Sequence, residues 1–485
     1  MNDFTFGNYL CTLRENAGLS QYQLGTLLGV TDKAVSKWEN GAAKPRTKLC
    51  ERLANIFGIS VDELLSAGES PRQAAKKLLA ERNAALWERA ENLLHKRYGS
   101  TPPIQVMSRF EMEKSLLQET NAIYHFEFLR QINALAGEQC GKITHFGMIG
   151  SSFVAWLMGV TRVNPLPPHE YCPDCRKIMF HPEVEDGWDL PEATCTCGRK
   201  LLRDGHNIPV DAFAKEMRNT GEDFEFACAP ALENSIVELM SRYYTGTHRV
   251  IPVDFGFCHY VLFPLWETAP ETEPDGVLRV STEQYYKMFK PYDRILLITN
   301  QHEEAKLQNA ANSGILPTDE MLMAPDILHK AYEKRVQNAL ELPITPCDFN
   351  PLFSQLARFD GLKRDTLSLP ADAQWAEELG TIPLRDLPVY REDIWEKVHK
   401  ELLPTCNSSA GLAVSIMEDT RLGRYKKRGM PEEIISALKS IHVPDWYMGF
   451  MQNAKYLFPK SHCIEHLIDE LICIVQQNKV QSEPQ

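Results

Sequence analysis

The stretch His145–Cys175, HFGMIGSSFVAWLMGVTRVNPLPPHEYCPDC, with its continuation Gly187–Pro209, GWDLPEATCTCGRKLLRDGHNIP, decides how the chain is read. Gly147, Gly150, Ser151 and Ser152 make a small-residue turn running into an apolar helix, the local chemistry that lets backbone N–H groups approach a phosphate at a helix start. After it come the rigid Asn164-Pro-Leu-Pro-Pro segment and two close cysteine pairs, Cys172 and Cys175 as CxxC, then Cys195 and Cys197 as CxC followed by Gly198. Two such pairs about 20 residues apart, each presented by a tight turn, predict a tetrahedral structural Zn2+ site that holds the excursion 164–209 folded.

Composition sets the bounds around this stretch. With 485 residues, 44% hydrophobic and 24% charged, the chain is ordinary globular material, enough for roughly two to four domains. Thirteen cysteines, an odd number, fit reduced thiols plus one metal site rather than a disulfide framework. No apolar run reaches membrane-spanning length and the N-terminus lacks a basic-then-apolar signal, so a cytoplasmic protein without membrane contact is expected. The net charge of −13 argues against a nucleic-acid surface spread over the whole chain, because phosphate binding needs a basic footprint. Any contact with double-stranded DNA must be local.

The local candidate lies at the N-terminus. Helices are expected at Phe4–Ala17, Ser20–Leu28, Thr31–Glu39, Pro45–Phe57 and Val61–Leu65. Ser20, Thr31 and Ser60 supply capping oxygens, Gly29, Gly41 and Gly58 permit left-handed exits, and Pro45 suits a first turn. Leu10, Leu13, Leu19, Leu24, Leu27, Leu28, Val30, Val35, Trp38, Leu49, Leu53 and Ile56 recur at helical spacing and close one small core. Residues 1–66 carry seven basic and seven acidic residues against 45 and 58 in the remainder. Lys33, Lys37, Lys44, Arg46 and Lys48 are gathered in and after the third helix. The run LSQYQLGTLLGVTDKAVSKWENGAAKPRTKLCERLANIFGISVDELL resembles the Cro/repressor-type (XRE-like) helix-turn-helix family over its full length. The resemblance implies that the third helix enters the major groove, with Thr31 at its start, Asp32, Lys33, Ser36 and Lys37 at base edges, and Gln21, Asn40, Lys44 and Arg46 nearer the phosphates.

After a short linker, Pro71–Tyr98 reads as one long helix with Leu78, Leu79, Leu86, Leu93 and Leu94 on its apolar face, suited to pairing two protomers in a homodimer or to docking on the next domain. From Tyr98 on, a second resemblance sets in. RYGSTPPIQVMSRFEMEKSLLQE, GSSFVA, VNPLPPH, YCPDC, DLP and DGHNIP are similar, block by block, to the palm of PolC-type DNA polymerase III alpha subunits. Tyr390-Arg-Glu-Asp-Ile-Trp395, Ile416-Met-Glu418, Val443-Pro-Asp-Trp-Tyr447 and Lys455–His462 continue the likeness. It implies an α+β chain: a five-helix head at 1–66, linker and long helix at 67–97, a reduced palm with a zinc-ribbon-like insertion at 98–345, a helical region at 346–475 and a tail at 476–485.

Nucleotidyl transfer of this type needs carboxylates that hold two Mg2+ ions. The matching stretch GEDFEFA leaves Asp223 and Glu225, or Glu222, as remnants. The strand Arg294–Asn300 before His302-Glu303-Glu304 carries no carboxylate, leaving Thr299 or Ile298 in the third place. Phe146 and Met148 replace the Arg and the first Ser of the family's phosphate turn. On these losses the sequence reading expects a chain that is not an enzyme: a transcriptional regulator, in all a repressor acting on its own gene, whose polymerase-derived body serves dimerisation or sensing. The alternative reading is a module that engages replication proteins, primer–template DNA or nucleotides.

Overall fold

The computed structural model describes residues 6–66, 71–118, 120–138, 143–145, 149–214, 217, 223–254, 258–265, 267, 270–289, 292–299, 317–338, 352–362, 382–402 and 409–482. The fold is mixed α+β, as expected. Two compact units are present. One comprises Met1–Ala85, Ser241–Pro252 and Val261–Arg279, the other Leu86–Met240, Val253–Tyr260 and Val280–Gln485.

The first unit opens with α1 (Phe6–Asn16), α2 (Gln21–Leu28), α3 (Asp32–Glu39), α4 (Thr47–Phe57) and α5 (Val61–Ser66). Their limits follow from local chemistry. Ser20 caps α2 in a capping box: its hydroxyl accepts from Gln23 N, and the Gln23 side chain accepts from Ser20 N at 2.8 Å. Gly29, with φ +72°, lets the chain leave α2 in a left-handed conformation that a side chain would strain. Thr31 caps α3 by accepting from Ala34 N. The expected start of the fourth helix at Pro45 is corrected, since Arg46 is the N-cap, without a side-chain bond, and helical geometry begins at Thr47. Phe6, Leu10, Leu24, Leu28, Val35, Trp38, Cys50, Leu53, Ala54 and Leu64 form the core. Leu27, expected inside it, is 50% exposed. Leu24 and Leu28, three residues before it and one after, lie on the same side of its direction and take the inward face of α2. A side chain at Gly25 would press on Val30 O at 2.9 Å, so this glycine is what brings the start of α3 against α2.

The long helix α6 spans Pro71–Tyr98 as read from the sequence, with Ala75, Leu79, Ala90 and Leu94 buried along it. Strands β6 (His248–Asp254), β7 (Cys258–Pro264) and β8 (Leu278–Arg279) neighbour one another in the order β7-β6-β8.

In the second unit, α7 (Ile104–Leu117) and α8 (Ala122–Glu138) lead to β1 (Thr144–His145) and to α9 (Phe153–Leu157). Strands β2 (His169–Tyr171), β3 (Ile178–Phe180) and β4 (Leu202–Asp204) form a small antiparallel sheet with β2 in the middle. Strand β5 (Asp223–Cys228) pairs antiparallel with β1 and parallel with β9 (Arg294–Thr299). Among the described residues from Phe353 onward the elements are helical, ending in Lys460–Ser482. This last helix runs past Val475, where the sequence reading begins a frayed tail. Val475 and Gln476 are still buried there, and Asn478 accepts from Lys330 Nζ at 2.6 Å, so the polar end retains partners. Among the described residues no helix is long and apolar enough to cross a membrane.

Candidate nucleic-acid interface and metal centre

In the head, Val35, Trp38 and Glu39 face inward from α3, while Asp32, Lys33, Lys37 and Asn40 are exposed and Ser36 is half-buried. Lys44 and Arg46 are exposed in the segment before α4. Thr31 is spent as the N-cap, and Asn40 Nδ2 donates to Ser36 Oγ at 3.3 Å. Gln21 does more than stand at the start of α2, because its Nε2 donates to Glu39 Oε2 at 2.8 Å. Glu39 also accepts from Arg14 Nε at 2.6 Å and Nη2 at 3.1 Å. Burial by itself pushes the Glu39 carboxyl up, but the bonds from Arg14 and Gln21 hold it below its ordinary value. This triad, in which Arg14 and Glu39 are buried and Gln21 half-buried, ties α1, α2 and α3 together and carries no motif of its own in the sequence. Its signal is one of spacing: Arg14 and Glu39 stand four residues after Leu10 and Val35, on the same apolar stripes.

The second site is the cysteine excursion. Cys172 and Cys175 follow β2 in a knuckle in which Cys175 N donates to Cys172 Sγ at 3.4 Å and Arg176 N to Cys172 O at 2.7 Å, with Arg176 at φ +57°. Cys195 and Cys197 occupy the second knuckle, closed by Cys195 N to Arg199 O and Gly198 N to Cys195 O, both 2.8 Å. All four sulfurs lie within 4.8 Å of one another. The Cys172–Cys197 and Cys175–Cys195 separations are 3.6 and 3.9 Å, against about 3.8 Å for the edge of a thiolate tetrahedron with 2.3 Å bonds. They are far from a disulfide length of about 2 Å. The set therefore fits a four-coordinate metal ion. Within the cluster the Cys195 thiol is drawn down to about 6, first by the backbone N–H of Cys197, while the neighbouring sulfurs, Cys197 foremost, push the Cys175 thiol up to about 12.

The base of the excursion is closed by residues that the sequence reading did not single out as a unit. His206 N donates to Asn164 O, Asn207 N to Leu166 O and Ile208 N to Pro165 O, so the NPLPP and DGHNIP segments zip together. Beneath them the fully buried Asp186 Oδ2 lies 2.8 Å from His206 Nδ1. Burial disfavours charge on this imidazole, yet the Asp186 carboxylate overrides it and lifts its pKa. A Cβ at Gly187 would meet Asp204 O at 1.8 Å, so only glycine fits at that crossing.

Of the polymerase-like turn, Phe146, Gly147 and Met148 lie outside the described residues. Gly150, Ser151 and Ser152 are buried. Ser151 Oγ shares a 2.8 Å hydrogen bond with Ser461 Oγ, and Gly150 abuts Ser461 Cβ. Ser152 Oγ, Phe153 N and Val154 N all donate to the Glu113 carboxylate at 2.8 to 3.0 Å. Arg109 adds a fourth bond to Glu113 at 2.6 Å. The start of α9 therefore holds an internal anion, Glu113, which the sequence reading did not single out. On the neighbouring parallel strands, Asp223 aligns with Arg294, the half-buried Glu225 with Leu296, and Cys228 with Thr299. Glu222 and His302–Glu304 lie outside the described residues.

Comparison with known proteins places these features. Residues 12–64 match the family described as helix-turn-helix. The chain is 25% identical over 457 residues to the DNA polymerase III PolC-type of Thermotoga petrophila, covering 76% of this chain and 32% of that protein. It is 24% identical over 474 residues to that of Thermotoga maritima, covering 78% and 33%. With the one from Staphylococcus aureus strain Mu3 it is 25% identical over 507 residues, covering 88% and 33%. The chain thus spans about a third of the length of the curated relatives it matches. The expectation of a chain that is not an enzyme is corrected by this likeness, which runs over most of its length, is to polymerases and points to an enzyme. The chain carries a helix-turn-helix domain at its N-terminus and resembles PolC-type DNA polymerase III over most of its length.

Proposed function

We propose that this protein is a sequence-specific regulator of transcription, a repressor with its own gene among its targets, whose helix-turn-helix head brings a polymerase-like body to chosen duplex sites. The observation that carries the reading is the α3 surface, where Lys33 and Lys37 stand four residues apart on one exposed face, flanked by exposed Lys44 and Arg46. Two heads on a two-fold operator, about one helical turn apart, would be the matching arrangement for a homodimer. In the body, Zn2+ held by Cys172, Cys175, Cys195 and Cys197 is structural, and it secures the excursion 164–209 rather than taking part in chemistry. Likeness to polymerases supports nucleotides and primer–template DNA as what the body engages, with Asp223 and Glu225 on β5 as the candidate metal-binding carboxylates.

Selection of duplexes from a random pool by the full-length chain tests the head. An enriched two-fold motif that also occurs upstream of the chain's own gene is expected. A pool without any enrichment would move the head to protein recognition. Primer extension with Mg2+ tests the body, and extension abolished in Asp223→Ala would assign the carboxylate.

A further inference from the structure

The exposed face of α3 mixes signs at one point. Asp32 opens the helix and Lys33 follows it, while the helix's other carboxylate, Glu39, is buried against Arg14. Asp32 is exposed, as are the cations Lys33, Lys37, Lys44, Arg46 and Lys48 in and after the same helix. On a surface that meets phosphates, a carboxylate is repelled, and it gains from DNA only where a base edge offers amino hydrogens. The Asp32 side chain is also pinned, since its Oδ1 accepts from Lys33 N at 2.8 Å. An acceptor fixed at the helix start loses little rotamer freedom on binding.

Two bases carry major-groove amino groups. Adenine N6 stands between the acceptors adenine N7 and thymine O4, whose lone pairs oppose an arriving carboxylate. Cytosine N4 stands at the end of its row, with both acceptors, guanine O6 and N7, on the other side. A G·C pair therefore offers a donor at one end and a two-acceptor seat for an ammonium at the other. Adjacent aspartate and lysine present the complementary acceptor and donor. Resting on the reading of α3 as the recognition helix, we propose that Asp32 and Lys33 together read one G·C base pair in each half-site, Asp32 accepting from cytosine N4 and Lys33 donating to guanine O6 and N7.

The test is selection from random duplexes by the full-length chain, repeated with Asp32→Asn and Lys33→Met. Asp32→Asn keeps the Oδ1 acceptor for Lys33 N, and melting curves matching the parent establish that both variants are folded. The expected result is a motif with one G·C position per half-site at which each variant relaxes the preference about tenfold, the remaining positions being kept. Relaxation at two different base pairs would overturn the pairing. So would an even loss of affinity across all sequences in Lys33→Met, which marks a phosphate contact. In both cases the motif, and with it the reading of α3, would survive. A parent chain that selects no motif would instead sink that reading, and the pairing with it.

Discussion

The head and the cysteine excursion both fix short turns around a small polar centre, yet they are closed over different distances. In residues 6–66 each boundary is set within a few positions: Ser20 bonds Gln23, Thr31 bonds Ala34, and Gly29 ends α2. The Arg14–Glu39–Gln21 triad and the Arg52 bonds to the Leu27 and Leu28 carbonyls are what reach across helices. In residues 164–209 local bonds shape the two knuckles, but distant partners close the segment. Cys172 needs Cys197, Asp186 needs His206, and Asn164 needs Asp204 and the His206 amide. A segment closed by local bonds loses them one at a time, whereas one closed by distant partners holds or opens as a unit.

The largest expected effect breaks the excursion. If one Zn2+ holds the four thiolates, a strong chelator or Cys172→Ser removes on the order of 10 kcal/mol of folding free energy from this segment. Amide exchange of β2 and β4 should then collapse together while α2 and α3 keep their protection. Elemental analysis giving under about a tenth of an equivalent of zinc, with exchange unchanged in Cys172→Ser, would remove the metal from the account.

Next comes the buried ion pair of the head. Arg14→Met leaves Glu39 buried without its partner and should cost about 3 to 5 kcal/mol. The sign of its pH dependence sharpens the point. In the parent, Glu39 has a folded pKa below its ordinary 4.5, so its contribution is fully present above that value and is lost as pH falls through the folded pKa. In Arg14→Met, burial, the largest influence on this carboxyl, is opposed by the Gln21 bond but no longer by Arg14, and should raise the pKa, so stability should instead fall as pH rises above 4.5. Thermal melts of the two proteins from pH 3 to 7 should therefore slope in opposite directions, and parallel slopes would show that the triad is not what holds Glu39.

The smallest effect is local. Ser20→Ala removes one cap and should cost about 1 kcal/mol, read as a small drop in the denaturation midpoint of the head. A loss as large as that of Arg14→Met would mean that the head, too, opens all at once.

The same contrast governs what was legible in the sequence. Caps, left-handed glycines and the ends of α6 could be read because their causes lie within four residues. Leu27 could not, since helical spacing gives the width of an apolar stripe but not which edge meets a neighbour. Arg14 and Glu39 stayed hidden because a charged residue reads as solvated until its partner, 25 residues away, is placed beside it. The four cysteines were legible by spacing alone, whereas Asp186, His206 and Gly187 carry no pattern of their own. The reading against enzymatic activity weighed single positions such as Thr299 and Phe146, while the resemblance that corrects it is spread along the chain.

Glu113 gives α9 a property that a bare helix start would lack. Its carboxylate, 0% exposed, already takes up the donors of Ser152, Phe153 and Val154. Sulfate or phosphate in the surrounding solution therefore finds no open amides there, and this corner folds alike whether or not such an anion is present. The helix carries its counter-charge within its own chain, and so owes nothing of its stability to a guest.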